Sequence, residues 1–216
     1  MAKKKKNSSL ILKLFIFFII LLGIVFAYLY KNRYLKCLLV SPSMCLSSRY
    51  FKSELGLYSF RYPKNYPLTH LTGEKLKKFY NGDFGILEWV NFSVEFYPNA
   101  GGDRLGDVIV QENKQYKSDI YENKYFANIK EYVEKELNTF DVPPVVEYTK
   151  IDGVDAVCSD LKSQPHSFSN PSYDCYVIYK GNFYTINFDY NSYYHKESIE
   201  YYKKAREIVL STFQFE

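Results

Sequence analysis

The sequence lacks the short motifs that mark the common classes of catalytic and metal site. It has no Gly-x-Ser-x-Gly, no His-Glu-x-x-His and no glycine-rich loop that ends in Gly-Lys-Ser/Thr. It also has no Cys-x-x-Cys, and its histidines (His70, His166 and His195) are scattered, which argues against a zinc site. We therefore expect no enzyme activity, no cofactor and no metal. A hydrolase that uses paired carboxylates needs none of these motifs and is the least favoured alternative.

The sequence also lacks acidic residues before Glu54, so its positive charge is concentrated near the N-terminus. Residues 1–36 hold eight of the 28 lysine and arginine residues and none of the 24 acidic ones, which leaves residues 37–216 with a net charge of −4. A mildly acidic domain without a basic stripe is a poor candidate for binding nucleic acid. We therefore expect no nucleic-acid partner.

The sequence does contain one long apolar run, residues 10–30, in which Lys13 is the only charge. A helix of this length spans roughly 30 Å, about the thickness of the hydrocarbon core of a bilayer. Four lysines precede the run and three basic residues follow it, which favours a cytoplasmic N-terminus. We predict a basic cytoplasmic stub over 1–9, a signal-anchor helix over 10–30 in the cell membrane, and an extracytoplasmic C-terminal domain.

A cleaved signal peptide is the alternative interpretation of the same run. Val25-Phe26-Ala27 resembles a small-x-small cleavage site, and cleavage near Ala27 would release a secreted protein. The run is longer than the apolar part of a usual signal peptide, and bulky side chains crowd the candidate site. These two features favour the uncleaved anchor.

The rest of the chain predicts a linker over 31–52 and one folded domain over 53–216. Alternating apolar side chains predict strands, and apolar spacings of three and four residues predict helices. Asp152-Gly153 and Gly181-Asn182 are typical two-residue hairpin turns. Together these elements predict an α+β fold in which helices flank a central antiparallel sheet. The predicted strands are 57–62, 86–97, 145–151, 154–161, 173–180 and 183–190; the predicted helices are 123–140 and 196–210, with a short one near 74–80 and an extended end at 212–215.

The glycine-rich stretch 99–106 is predicted to be a mobile turn. It lacks the ending of a phosphate-binding loop. Asp103 and Asp107 could bind a cation weakly, but two carboxylates four residues apart are little evidence for a cation site.

The four cysteines lie outside the apolar run, and an even number in an exported domain predicts disulfides. Three connectivities are open, and we favour Cys37–Cys45 with Cys158–Cys175. Antiparallel pairing of the two middle predicted strands would bring Cys158 and Cys175 nearly opposite each other, with Cα atoms about 4.5–5.5 Å apart. Four reduced thiols in a cytosolic domain are the alternative.

Three stretches resemble the PsbP-like domain family. The family's opening stretch resembles residues 55–67, LGLYSFRYPKNYP. Its glycine-containing hairpin is similar to residues 151–157, IDGVDAV, and its terminal stretch is similar to residues 206–215, REIVLSTFQF. The resemblance covers about residues 50–216 and implies an α/β/α sandwich without enzyme activity. Plant members are extrinsic photosystem II proteins, and bacterial relatives are mostly anchored proteins or lipoproteins. Tyr66 stands where the family usually has Trp, and the domain cysteines are not expected of the family.

Aromatic content is high, with 23 Tyr, 17 Phe and one Trp. Tyr193-Tyr194 and Tyr201-Tyr202 cannot all face inward on one narrow stripe, and exposed tyrosines suit recognition of proteins or sugars. Tyr193, Tyr194, Tyr201 and Trp89 are therefore the candidate recognition surface, although we expect a helix to cover Trp89. Compositional drift in an AT-rich genome is the alternative explanation. We expect a binding or assembly module with an envelope protein as partner, or else a receptor for a small ligand or glycan.

Overall fold

The computed structural model describes residues 5–31, 33–82, 85–94, 103–113, 126–139, 144–161, 172–189 and 196–216. The helices are α1 (Lys5–Lys31), α2 (Tyr34–Val40), α3 (Pro42–Leu46), α4 (Gly73–Tyr80), α5 (Ile129–Lys135) and α6 (Lys196–Thr212). A short 3-10 helix, Leu137–Thr139, follows α5. The strands are β1 (Ser48–Lys52), β2 (Tyr58–Pro63), β3 (Leu68–Thr72), β4 (Ile86–Val94), β5 (Asp103–Glu112), β6 (Val145–Ile151), β7 (Val154–Leu161), β8 (Ser172–Tyr179), β9 (Asn182–Asp189) and β10 (Gln214–Phe215).

Helix α1 contains the long apolar run. Its segment Ile11–Tyr30 has a mean hydropathy of 2.7, and none of that segment is buried against the rest of the chain. By length and composition this helix can cross a membrane, as the sequence predicted, although a signal sequence near the N-terminus has the same properties.

The centre of the fold is a seven-stranded antiparallel sheet with the order β3-β4-β5-β9-β8-β7-β6. Because side chains alternate along each strand, the sheet has two distinct faces. We call the inner face the one that carries Val90, Val108 and Ile186, and the outer face the one that carries Trp89 and Tyr176. Helices lie on both faces, so the predicted α+β class with a helix-flanked antiparallel sheet is confirmed.

The inner face is covered by α6 and by a small three-stranded sheet of order β1-β2-β10. Aromatic side chains join the two sheets: Tyr58 packs edge-on against Tyr184, with ring centroids 6.1 Å apart, and Phe60 packs against Phe92 at 5.8 Å. Strand β10 forms the extended C-terminal end that the sequence predicted, and it pairs with β2. Most of the core lies between these layers.

Most of the stretch for which the sequence predicted a linker is folded against the domain. It forms α2, α3 and β1, and β1 pairs with β2 along its whole length. Cys37 and Cys45 are bonded to each other and lie in the main core. Residues 34–52 are therefore part of the packed structure, because a disulfide and a strand pairing hold this polar, serine-rich stretch in place.

The two predicted hairpins are present, and with them the second predicted disulfide. Asp152 and Gly153 both have positive φ angles, as a type I′ turn requires. The second turn uses Lys180-Gly181 and not the predicted Gly181-Asn182, because a type I′ turn favours glycine at its second central position. Cys158 and Cys175 are register partners on β7 and β8, and the bond joins Cα atoms 4.1 Å apart.

Strand β5 overturns the prediction of a mobile turn at residues 99–106. Residues 99–102 lie outside the described residues, but residues 103–106 belong to this strand, between β4 and β9. A Cβ atom on Gly106 would lie 2.0 Å from the backbone oxygen of Asn187. Glycine is needed there for a close approach of two strands and not for a turn.

The predicted helix 123–140 is shorter in the structure. Residues 123–125 and 140 lie outside the described residues, and α5 begins at Ile129. The Asn128 side chain accepts a hydrogen bond from Glu131 N, while the Glu131 carboxylate accepts one from Ala127 N at 2.5 Å. This reciprocal capping fixes the start of the helix.

Candidate functional site

The outer face carries a row of polar side chains that runs across five adjacent strands. Asn91, Asp107, Asn187, Asp174 and Ser159 are successive register partners on β4, β5, β9, β8 and β7. All except Asn187 are buried, including both carboxylates. We call these five side chains the polar row. A buried carboxylate needs hydrogen-bond donors, so its partners indicate what it can do.

Asp174 is surrounded by donors. Asn187 Nδ2 donates to its Oδ1. Ser172 Oγ and Tyr176 OH both donate to its Oδ2, each at 3.3 Å. The bond from Asn187 joins β9 to β8, and the other two lie within β8; together they hold the carboxylate in one orientation.

Asp107 accepts a hydrogen bond from the indole of Trp89, with 2.9 Å between Nε1 and Oδ2. The Trp89 ring stacks on Phe79 of α4, with centroids 5.0 Å apart, and Tyr80 packs against its edge. A helix therefore covers Trp89, as we expected from the sequence. The exposed aromatic side chain at this point of the surface is Phe79.

The two carboxylates of the polar row are buried and lie on strands that are not adjacent. Strand β9 lies between Asp107 and Asp174. Asp103 and Asp107 lie four residues apart on strand β5, a backbone separation of about 13 Å. Within the described ranges, no group of three or more His, Cys, Asp or Glu side chains could hold a metal ion. Within the row, Asn187 of β9 donates to Asp174 of β8, and Trp89 of β4 donates to Asp107 of β5.

Beside the polar row, α5 packs on a small aromatic cluster. Tyr132 lies 4.9 Å from both Tyr176 and Phe183, measured between ring centroids. Burial raises the pKa of Tyr132 and of Tyr176 far above the usual range of tyrosine, and the Asp174 carboxylate raises that of Tyr176 further. Both side chains are neutral core residues at physiological pH.

Of the three remaining candidates for the recognition surface, the structure describes only Tyr201. Tyr193 and Tyr194 lie outside the described residues. Tyr201 is half-buried at the edge of α6, where its hydroxyl donates to Asn65 Oδ1 at 2.7 Å and its ring lies 6.2 Å from that of Tyr66. Burial raises the pKa of Tyr201. Its neighbour Tyr202 is buried in the core.

Glu88 forms a second buried polar group, on the inner face of the sheet. Its carboxylate is 0% exposed; Ser53 Oγ donates to Oε2 at 2.7 Å, and His70 Nε2 lies 2.6 Å from Oε1. Ser53 also accepts hydrogen bonds from the backbone of the turn between β1 and β2. Glu88 therefore ties the small sheet to the large one. In the sequence, Glu88 stands out as the one charged residue on an otherwise apolar face of the predicted strand.

Strand β6 lies at one edge of the seven-stranded sheet and pairs only with β7 among the described strands. It is seven residues long, and most of its side chains are exposed, including Val145 at 82%. An edge strand of this kind presents unpaired backbone donors and acceptors to a partner chain. Sequence reasoning predicted the strand but not its position at the edge.

A groove lies along each face of β6. The outer groove has a volume of about 1210 Å³ and runs between the start of α5 and the β6–β7 hairpin; Tyr148, Lys150, Asp155 and Lys130 line it. The inner groove, of about 360 Å³, lies between β6 and α6 and is lined by Glu147, Thr149 and Arg206, among others. Lys150 Nζ donates to the Asp155 carboxylate at 2.6 Å and lowers the pKa of that group.

No protein-family model matches the sequence, and no curated protein sequence matches it. Among solved structures, the chain is similar to cyanobacterial PsbP from Synechocystis, with 12% identity and a TM-score of 0.47; the similarity covers 79% of this chain and 93% of that one. It is also similar to a protein from Bacteroides thetaiotaomicron, with 16% identity and a TM-score of 0.44, over 79% of this chain. The match spans about half, 49%, of the Bacteroides chain. PsbP is the family that the sequence motifs resemble.

Proposed function

We propose that this chain is a single-pass membrane protein whose extracytoplasmic domain binds an extended segment of another envelope protein. In this proposal residues 1–9 are cytoplasmic, residues 10–30 span the bilayer, and the rest of the chain lies outside. The four lysines before the apolar run support this orientation. The two buried disulfides support it as well, because disulfides persist in oxidising compartments.

The observation that carries the binding function is the edge strand β6 with a groove on each of its faces. A peptide that pairs with an edge strand points alternate side chains to opposite faces of the sheet. Beside β6, one set of these side chains would enter the outer groove and the other the inner groove. Backbone hydrogen bonds would provide affinity, and the grooves would provide specificity.

The charges of the grooves indicate what kind of segment fits. Lys130, Lys150 and Asp155 line the outer groove, and Glu147, Arg206 and Glu207 line the inner one. Both grooves also have apolar walls, which include Ile178 in the outer groove and Leu210 in the inner one. A segment that presents both polar and apolar side chains to each face of the sheet matches both grooves. We infer that binding requires no catalysis, cofactor or nucleic acid.

The experiment is photo-crosslinking in intact cells from p-benzoylphenylalanine at position 148, with the same residue at position 79 as the matched control. Both native side chains, Tyr148 and Phe79, are exposed aromatics, and they lie near opposite edges of the sheet. We expect a defined protein at position 148 only. A Val145→Lys change, which places charge on the exposed edge, should reduce the capture about tenfold or more.

A captured protein must also bind as a strand. A synthetic peptide of its crosslinked segment should protect the backbone amides of residues 145–151 from hydrogen exchange. Equal capture at both positions, or no protection of β6, would contradict strand pairing.

A small ligand or glycan is the second candidate, because the outer groove, at about 1210 Å³, has room for one. A thermal-shift screen of the full chain separates the two functions. A sugar or small molecule that raises Tm in the native protein but not in a Tyr148→Ala variant would favour the receptor.

A further inference from the structure

The first two helices of the domain begin immediately beside the membrane-crossing helix. α1 ends at Lys31 and α2 begins at Tyr34. Three residue steps of fully extended chain cover at most about 11 Å. Since the headgroup region on each side of a bilayer is roughly 6 Å thick, α2 starts inside this region or just beyond it.

α2 and α3 are fixed to the domain and do not act as a tether. Arg33 forms an ion pair with Asp152 in the β6–β7 turn, and the other oxygen of that carboxylate accepts a hydrogen bond from Phe215 N at 3.1 Å. The Arg61 guanidinium lies 4.4 Å from the centre of the Tyr34 ring. A membrane-spanning α1 therefore also sets the height of the domain above the bilayer.

Each of these two helices exposes a leucine to solvent. Leu39 is 87% exposed and Leu46 is 73% exposed. Leu39 follows the buried Cys37 by two residues, so it lies about 200° around the helix and points away from the core. One exposed leucine needs no explanation, but two on adjacent short helices at the membrane end of a domain indicate a partner.

The charge of this region has one sign only. Residues 31–53 contain Lys31, Arg33, Lys36, Arg49 and Lys52 and no acidic residue, whereas residues 37–216 as a whole have a net charge of −4. Two of these cations have acidic partners in the fold, since Arg33 pairs with Asp152 and Lys52 lies 3.8 Å from Glu216. Lys36 and Arg49 are exposed, and exposed cations beside a bilayer are attracted to the phosphates of anionic lipids.

We propose that α2 and α3 lie in the headgroup layer of an anionic bilayer, with Leu39 and Leu46 inserted and Lys36 and Arg49 on lipid phosphates. The occupant of this surface is the lipid that surrounds α1, because chain continuity brings no other surface so close. The inference rests on the proposed membrane span of α1. It adds that the domain is held against the membrane in one orientation, with the β6–β7 turn on the membrane side.

The test uses the full chain in nanodiscs made of brominated phosphatidylcholine and phosphatidylglycerol, with unbrominated nanodiscs as reference. Bromine quenches tryptophan only at short range, and the native Trp89 under α4 provides the background signal. The variants are Leu39→Trp, Leu46→Trp, Phe18→Trp within α1, and Phe79→Trp on the outer face. Each replaces an exposed apolar side chain, so none should disturb the fold.

We expect bromine to remove about half or more of the added fluorescence at positions 18, 39 and 46, and little at position 79. The further change Lys36→Glu with Arg49→Glu should reduce quenching at position 39 and leave position 18 unaffected. Quenching at position 18 without quenching at 39 and 46 would overturn the docking and leave the anchor intact. No quenching at position 18 would overturn the anchor and the docking together, and equal quenching at position 79 would overturn the single orientation.

Discussion

Glu88 shows how one buried residue can connect two layers of this fold. Its carboxylate accepts a hydrogen bond from Ser53, which directly follows β1 of the small sheet. It also lies against His70 of β3, the edge strand of the large sheet. Removing one member of such a group leaves the others buried without their partner, which costs more than the group contributes when intact.

We therefore predict that Glu88→Ala lowers the free energy of unfolding by about 3 kcal/mol. The matched control is Glu54→Gln, because Glu54 also lies near His70, at 3.6 Å, but its side chain is 72% exposed. The control should cost less than about 1 kcal/mol. Chemical denaturation of the full chain in detergent measures both. Equal losses would mean that Glu88 has no special role.

Gly106 is the second residue whose identity the fold requires. An added Cβ would meet the backbone of β9, which cannot move without disturbing the centre of the sheet. We predict that Gly106→Ala costs about 1–3 kcal/mol, in the range of overpacked cores.

Thr149→Ala on the exposed edge strand is the control for Gly106→Ala, and it should change the unfolding free energy by about 0.5 kcal/mol or less. Thermal unfolding followed by circular dichroism suffices. A Gly106→Ala variant as stable as the control would show that β5 and β9 are farther apart than described.

Sequence reasoning failed at Gly106 for a physical reason. Glycine marks a turn when it supplies a positive φ angle, but it also marks a place where two backbones approach closely. Only the partner strand distinguishes these uses, and Asn187 lies far away in the sequence. The buried Asp107, next in the chain, further interrupted the apolar alternation that would have indicated a strand.

The packing of helix α5 on the sheet involves two neutral tyrosines, its own Tyr132 and Tyr176 of β8 beneath it. The folded state raises the pKa of Tyr132 and Tyr176 by burial, so it favours their neutral forms. In the unfolded chain these groups ionise near pH 10. The stabilisation is thus fully present below about pH 10 and is lost as the pH rises above it.

We predict that the free energy of unfolding falls above about pH 10, and that the fall is smaller in Tyr176→Phe. Tyr148→Phe, which changes an exposed tyrosine, should keep the native pH dependence. Denaturation curves at several alkaline pH values, with tyrosinate absorbance as a second probe, test this. An unchanged slope in Tyr176→Phe would mean that Tyr176 ionises without unfolding.

The elements that sequence reasoning predicted best are those whose contacts are local. The β6–β7 and β8–β9 hairpins are specified by their turn dipeptides and alternating flanks, and the Cys158–Cys175 pairing follows from them. The strands that it missed, β1, β3 and β5, are short or central. Their pairing depends on distant segments, and short apolar runs do not reveal it. The start of α5 was available in the sequence as the capping pair Asn128 and Glu131.

In the whole molecule, the anchor and the disulfides both bear on which side of the membrane the domain lies. α1 can cross a membrane, and the two disulfides join all four cysteines of the chain. The sequence predicted both features but not that the segment around Cys37 and Cys45 is packed into the domain. The composition and residue spacing of this segment do not reveal that α2 and α3 are folded. They pack against α6 and the small sheet, most of which lie far away in the chain.

The most direct test of the central claim, an uncleaved anchor with an exported domain, is the intact mass of the protein from living cells. Cells are quenched in acid and free thiols are alkylated under denaturing conditions. The intact mass of the protein is then measured by mass spectrometry in both the washed membrane fraction and the soluble fraction. We predict the full chain, 25.5 kDa, without any alkylated cysteine. A shorter soluble product that lacks residues 1–27, or a full-length chain with four alkylated cysteines, would contradict the claim.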